Sequence, residues 1–233
     1  MSVVVPAYEE QDRIATAVAA VRSALAGVEG GVELIVVDDG SSDGTADAAR
    51  AAGADRVLTH PVNRGKGAAV RTGVLAATGS TIAFTDADLS YAPEQLEGLL
   101  EIVESGFDMV AGSRKHDMTR TLVQAGRLRE LGGRVINGLT HMVLLGNYRD
   151  TQCGLKAFRA EAARFMFERS KIDGFAFDVE LFVIAERNGL TLAEVPVTVV
   201  NTTRSTVRVV RDALRLVRDL FRIRRWSRAG AYE

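Results

Sequence analysis

"VELIVVDDGSSDGTADAARAAG" (residues 32–53) carries a strand, a turn and a helix in one span. Residues 34–37 are apolar and mostly β-branched, a run too short for a helix and suited to a buried strand. The run stops at Asp38, Asp39 and Gly40. Gly40 and Gly44 permit tight turns, and Asp43 suits the start of the alanine-rich helix. Gly53 then marks that helix's end. A strand that ends in carboxylates and turns straight into a helix is half of a parallel βαβ unit.

The same unit recurs on both sides of this stretch. Residues 2–5 predict a strand stopped by Pro6. Ile14, Ala17, Val18, Val21 and Leu25 give a helical stripe over 13–25. Residues 56–59 form a third strand, and "GKGAAVRTGVLAATG" (65–79) a helix entered through glycines. Strands at 81–84 and 109–112 flank a helix over 93–103, with Pro93 in its first turn. This alternation predicts an α/β fold: a doubly wound, Rossmann-like, mostly parallel sheet with helices on both faces. Such sheets bind ligands at the carboxyl ends of their strands. The polar clusters 6–10, 38–44 and 86–88 all fall at those ends.

Beyond about residue 115 the rhythm changes. "LRELGGRVINGLTHMVLLG" (128–146) reads as a long apolar helix, and "DTQCGLKAF" as a turn into a strand. Helices follow over 162–168 and 179–188, with a strand at 191–195. Over 207–225, Val210, Leu214, Val217 and Phe221 make an apolar stripe bordered by arginines.

The 233 residues are 47% hydrophobic and 25% charged, enough for one good core. Net charge is −1, but residues 204–233 carry about +6 and the preceding body about −7. An acidic body argues against nucleic acid as a partner. Cys153 is the single cysteine, which excludes an intrachain disulfide and fits a reducing compartment. The opening "MSVVVPAYEE" lacks the basic and apolar regions of a signal peptide. No run of about 18 apolar residues predicts a transmembrane helix.

Asp86 and Asp88, in "TDADLS", project to one side of an extended segment. Two carboxylates there suit a hard divalent cation, Mg2+ or Mn2+. The plainer reading, a helix cap and a solvated aspartate, would win for an isolated tripeptide. Position at a strand's carboxyl end favours the metal. Asp39 suits a ligand's ring N–H or ribose hydroxyl, alongside an Asx turn. "NRGKGAAVRTG" (63–73) lacks P-loop spacing, but its glycines, Arg64 and Lys66 suit an anion at a helix start. There is no G-x-S-x-G elbow, and His60, His116 and His141 lack metal-ligand spacing.

"VVVPAYEE", "VVDDGSSDGT", "NRGKGAAVRTG", "DADLS", "GSR", "RDTQCGLKAF" and "FDVEL" occur in that order over about residues 2–200. Together they resemble the family 2 inverting glycosyltransferases of GT-A fold. Within that family they are most similar to the dolichyl- or polyprenyl-phosphate β-glucosyltransferases, with the mannose synthases as neighbours. The resemblance implies a catalytic domain over 1–203, with a nucleotide-sugar half (1–115) and an acceptor half (116–203), then a basic amphipathic tail (204–233). Pro6, Ala7, Tyr8 and Glu10 would line the base and ribose pocket. Asp38, Asp39 and Gly40 would lie against the nucleotide, with Lys66 near its phosphates. Asp88 would ligate the metal and Asp86 the metal or sugar. Arg114 and Arg129 would bind phosphates, and Asp150 and Gln152 would sit near the transferred sugar. Two departures stand out. Ser90 replaces a glutamine frequent in mannose synthases, and the lysine usual near Ser205 is missing, leaving Arg204 or Arg208 as stand-ins.

The implied reaction is metal-dependent hexosyl transfer, with UDP-glucose favoured over GDP-mannose, to polyprenyl phosphate. An acceptor phosphate is already anionic at pH 7 and needs little help from a general base. Such an enzyme would be cytoplasmic and peripheral, meeting an anionic membrane through its basic tail. A tail helix packed on the core with a solvated basic face is an equally simple reading of the same residues. The alternatives are the same fold acting on a soluble acceptor and, in another class, a non-catalytic nucleotide-binding module. Oligomeric state is not legible in the sequence.

Overall fold

The structure is a computed structural model that describes residues 1–121, 148–200 and 209–233, with side chains from 214 onward in the last stretch. The first half follows the predicted alternation: β1 (Ser2–Ala7), α1 (Gln11–Ala24), β2 (Glu33–Asp38), α2 (Thr45–Ala51), β3 (Arg56–Thr59), α3 (Lys66–Ala76), β4 (Thr81–Phe84), α4 (Gln95–Glu104) and β5 (Met109–Ser113). The second half adds β6 (Arg120–Thr121), β7 (Lys156–Arg159), α5 (Ala160–Arg169), α6 (Phe177–Arg187), β8 (Leu192–Pro196), β9 (Thr198–Val199) and α7 (Val209–Arg228). Pro93 falls in a turn before α4 rather than in its first turn, and its carbonyl accepts the Leu96 N–H at 3.0 Å.

Seven strands form one sheet in the order β3-β2-β1-β4-β7-β5-β8, and β6 pairs with β9 in a small second sheet. All pairs in the main sheet are parallel except those of β7, which runs antiparallel to both β4 and β5. That reversal positions the site. Lys156 lies opposite Phe84 and Ala111, so the residues just before β7 emerge beyond the carboxyl ends of β4 and β5. The loop 150–155 is thereby delivered to the crevice where a doubly wound sheet binds its ligands.

The strands bury both faces, as a sheet covered by helices must. Val4, Ile35, Val37, Ile82 and Phe84 join one core layer, and Val3, Val5, Leu34, Val36 and Ala83 the other. Helix α7 belongs to the first layer through Leu216, Leu220 and Ile223. These inward residues are not those of the expected stripe. Leu214 and Phe221 of that stripe stand 69% and 61% exposed. Helical period explains the swap: 216, 220, 223 and 227 share the face opposite 214 and 221.

Candidate active site

Each of the three loops at the carboxyl ends of β1, β2 and β4 is tied to its neighbours. Glu9 has a positive φ of 55°, and its Oε1 accepts from the Ser42 N–H and hydroxyl. Thr45 Oγ1 accepts the Glu10 N–H at 2.9 Å. Asp43 accepts from the Thr45 N–H at 3.0 Å and from the Gln11 N–H at 3.2 Å, so it serves the starts of both α1 and α2. The segment from Pro6 to Glu10 is thus clasped to the stretch from Asp38 to Thr45, and Tyr8 is 42% exposed. Gly40, at φ 75°, lies so close to Val62 that a Cβ would meet backbone at 2.4 Å.

Asp38 and Asp39 are both buried. Asp38 accepts the Ser41 N–H at 3.0 Å and so braces the turn through Gly40. Asp39 holds the glycine loop. Its Oδ1 accepts the Arg64 N–H at 3.0 Å and its Oδ2 the Gly65 N–H at 2.7 Å. His60 Nδ1 lies 2.6 Å from Asp39 Oδ1, and His60 Nε2 lies 2.9 Å from Thr72 Oγ1. Asp39 therefore acts in this structure as the clamp that sets where Lys66 begins α3. His60 is a contributor that sequence reasoning passed over, because its partner is 21 residues away.

Lys66 reaches across to Asp86, with Nζ 2.5 Å from Oδ1. Burial works against its charge, yet Asp86, Asp178 and Asp88 hold the ammonium above its usual lysine range. Asp86 also rests on Gly154, where a Cβ would meet its Oδ2 at 2.0 Å. Only glycine leaves room for that carboxylate, which explains the glycine in the loop before β7. Asp88 accepts the Ser90 N–H at 2.9 Å, and Leu89 between them takes a positive φ of 52°. Burial raises the Glu10 carboxyl above its ordinary range, opposed by Arg13 and helped by Asp88, Asp43 and Asp86, so these acids lie within electrostatic reach of one another.

Arg114, at the end of β5, makes a bidentate pair with Asp150: Nε to Oδ2 at 2.6 Å and Nη2 to Oδ1 at 2.8 Å. Asp150 further accepts the Arg114 N–H at 3.0 Å and the Gln152 N–H at 3.2 Å. Burial would raise this carboxyl, but Arg114 overrides it and holds the group at about 2. The Asp150 N–H donates to Glu194 on β8, fixing the loop from behind. Beneath the site, Lys156 is fully buried, 2.6 Å from Asp178 Oδ1 at the start of α6 and 2.6 Å from the Cys153 carbonyl oxygen.

The structure thus brings Glu10, Lys66, Asp86, Asp88, Arg114, Asp150 and Gln152 to one end of the sheet. Arg129 and the Arg204/Arg208 alternatives lie outside the described residues. Lys156 and Asp178 went unassigned in the sequence. Their signal was a charged residue inside each of two apolar runs, "GLKAF" and "FDVEL". Cations and carboxylates interleaved over glycine turns make an anion site able to share a metal. Among the described residues no three His, Cys, Asp or Glu side chains form a metal cluster by themselves.

The fold is that of an α/β protein with charged side chains gathered at the switch point of its sheet, where doubly wound sheets bind their ligands. Residues 2–167 match the family described as Glycosyl transferase family 2, and the chain belongs to it. The chain is 36% identical over 208 residues to dolichyl-phosphate beta-glucosyltransferase ALG5C of Trichomonas vaginalis, covering 83% of this chain and 62% of that protein. It is 34% identical over 214 residues to the human dolichyl-phosphate beta-glucosyltransferase, covering 84% and 66%. The chain therefore spans about two-thirds of the length of these relatives. Among solved structures, glucosyl-3-phosphoglycerate synthase from Mycobacterium tuberculosis in complex with UDP superposes with a TM-score of 0.72 at 26% identity, covering 96% of this chain and 79% of that one. The same enzyme with Mn2+, UDP and glucosyl-3-phosphoglycerate gives 0.70 at 27%, covering 98% and 79%. The sheet and its flanking helices are those of a GT-A glycosyltransferase.

Proposed function

We propose that the protein transfers glucose from UDP-glucose to a polyprenyl phosphate, with inversion at the anomeric carbon. The observation that carries this reading is the meeting of Lys66, Asp86 and the 150–154 loop at the carboxyl end of β4. The names of the relatives support the sugar and the lipid phosphate. The UDP bound in the solved structure that the chain resembles supports the base.

In this reading the acceptor's phosphate oxygen forms the new bond to C1 as the C1–O bond to UDP breaks, and the electron pair leaves with UDP. The lipid phosphate arrives ionised, so the protein has no proton to remove. Its own work is placement and charge. The clasped loops after β1 and β2 seat the nucleoside. Lys66 lies where the diphosphate's negative charge grows, which is electrostatic stabilisation. Asp150, fixed by Arg114 and Glu194, faces the sugar together with Gln152. Mg2+ or Mn2+ fits the residues present. Asp86 and Asp88 offer oxygen ligands from one turn, and such ions complete their shells with water and substrate phosphates. When bound, the ion would supply further positive charge against the departing diphosphate. The exposed stripe of α7 would meet the membrane that holds the lipid, on its cytoplasmic face.

A second reading keeps the fold and the donor but uses a soluble phosphorylated acceptor. It is favoured by the close superposition on glucosyl-3-phosphoglycerate synthase. One assay separates the two. Radiolabelled UDP-glucose or GDP-mannose is offered with polyprenyl phosphate in detergent or with 3-phosphoglycerate, in Mg2+, Mn2+ or EDTA. The expected result is metal-dependent glucose transfer into the lipid, reduced at least ~100-fold in Asp88→Ala, whose thermal midpoint stays near that of the wild type. Transfer confined to 3-phosphoglycerate would replace the lipid acceptor, and no transfer from any donor would sink both readings.

A further inference from the structure

The geometry points to Tyr232 and Glu180 as positioning residues for the donor-site lysine, acting through the loop that joins α5 to α6. Neither belongs to the site described above, and both are buried. The Tyr232 hydroxyl donates to Glu180 Oε1 at 2.7 Å. The remaining capacity of that carboxylate goes to backbone. It accepts the Lys171 N–H at 2.9 and 3.0 Å and the Ile172 N–H at 2.9 Å. Lys171 Nζ donates to the Ala231 carbonyl at 2.7 Å, and Asn188 Nδ2 to the Tyr232 carbonyl at 3.0 Å. The segment after α7 is thus pinned on both sides of the phenol.

The far side of the same loop supports the glycine turn around Lys66. The Asp173 carbonyl accepts the Ala68 N–H at 3.2 Å. Arg71, one turn along α3, donates to Ser170 Oγ at 3.0 Å, Asp173 Oδ1 at 2.7 Å and the Ile172 carbonyl at 3.1 Å. A Cβ on Gly65 would meet the Asp173 carbonyl oxygen at 2.5 Å, and one on Gly67 the Ile172 carbonyl oxygen at 2.6 Å. The glycines on either side of Lys66 therefore lie directly on the Ile172 and Asp173 carbonyls, which belong to the two peptide units that follow the last one held by Glu180. A buried acid whose acceptors are all used resists displacement, because any lost partner leaves a desolvated carboxylate. Tyr232 and Glu180 hold the Lys171 and Ile172 amides, and the Ile172 and Asp173 carbonyls that follow directly support the backbone that aims Lys66 at Asp86.

This assignment rests on Lys66 serving a nucleoside-diphosphate donor, but the test includes a readout that needs no ligand. Tyr232→Phe removes one hydrogen bond and keeps the ring. Amide hydrogen exchange at residues 65–69 of the ligand-free chain should accelerate at least several-fold relative to wild type. The Kd for UDP in Mn2+, by calorimetry, should rise by a similar factor. Val103→Ala, which opens a cavity under α4 far from this loop, serves as the stability control. It should lower the thermal midpoint and change neither readout. Unchanged exchange at 65–69 in Tyr232→Phe, or equal acceleration in Val103→Ala, would overturn the assignment. A wild-type chain that binds no nucleoside diphosphate would instead overturn the donor reading, and exchange alone would decide whether the contact chain reaches Lys66.

Discussion

Asp150 and Arg114 stand 36 residues apart in the chain and meet as a two-pronged pair at the end of the sheet. The sequence offered each as a candidate site residue, as separate ligands for sugar and phosphate. Their mutual pairing was not legible there, since it depends on β7 running backwards between β4 and β5. The pairing has a pH signature. The Asp150 carboxyl sits at about 2 against an ordinary 3.8, so its charged form is the one the fold favours. That stabilisation is complete above the ordinary value and disappears as pH falls from about 4 toward 2. The gap corresponds to about 2 kcal/mol. Asp150→Asn should therefore be less stable than wild type at pH 7 by an amount of that order, and the difference in urea midpoint should shrink as pH approaches 3. A difference that is flat between pH 7 and pH 3 would mean that the pair is not what holds Arg114. His60 and Lys156 show the same limit of legibility. Their types were visible, but their partners, Asp39 and Asp178, are supplied only by tertiary contact.

At the scale of elements, the first half was nearly all readable. The boundaries of β3 and β4 match the expected 56–59 and 81–84, and α1, α2 and α3 lie within a few residues of expectation. Local rules sufficed there because each strand and helix carries its own period and its own punctuation, such as Gly53 at φ 89°. The direction of β7 and the small β6–β9 sheet depend on pairing between distant segments, which periodicity does not record. Helix α3 shows how tightly an element must seat to present its first residue. A Cβ on Gly73 would meet Val4 Cγ1 at 2.3 Å and Val37 Cγ2 at 3.0 Å. Both valines are stiff at χ1 and buried in the sheet, so neither can give way. Gly73→Ala would lift the helix off β1 and β2, at a cost of about 1–3 kcal/mol. Denaturant unfolding should show a lower midpoint with an unchanged slope. A midpoint equal to or above that of wild type would show that the usual gain in helix propensity outweighs the clash.

The whole molecule is an acidic body that carries a basic helix, and the structure changes how that helix is to be tested. Removing residues 207–233 would strip Leu216, Leu220 and Ile223 from the core along with any membrane contact, so lost binding would prove only unfolding. The two faces of α7 can be separated instead. Leu214 and Phe221 are exposed, and Arg215, Arg218, Arg222 and Arg225 stand exposed near them. No described helix is long and apolar enough to cross a membrane, so contact through α7 would be peripheral. Burying one such side chain in lipid contributes roughly 1.5–3 kcal/mol, and each arginine near an anionic surface about 1 kcal/mol. Leu214→Ser with Phe221→Ser should therefore weaken cosedimentation with phosphatidylserine-containing vesicles at least ~10-fold. Stability should stay within ~0.5 kcal/mol of wild type, because neither side chain packs inward. Wild-type binding should also fall as salt rises to about 1 M, where screening shortens to ~3 Å. Binding that survives both the double substitution and high salt would assign the stripe to solvent and send the search for the lipid-facing surface elsewhere on the chain.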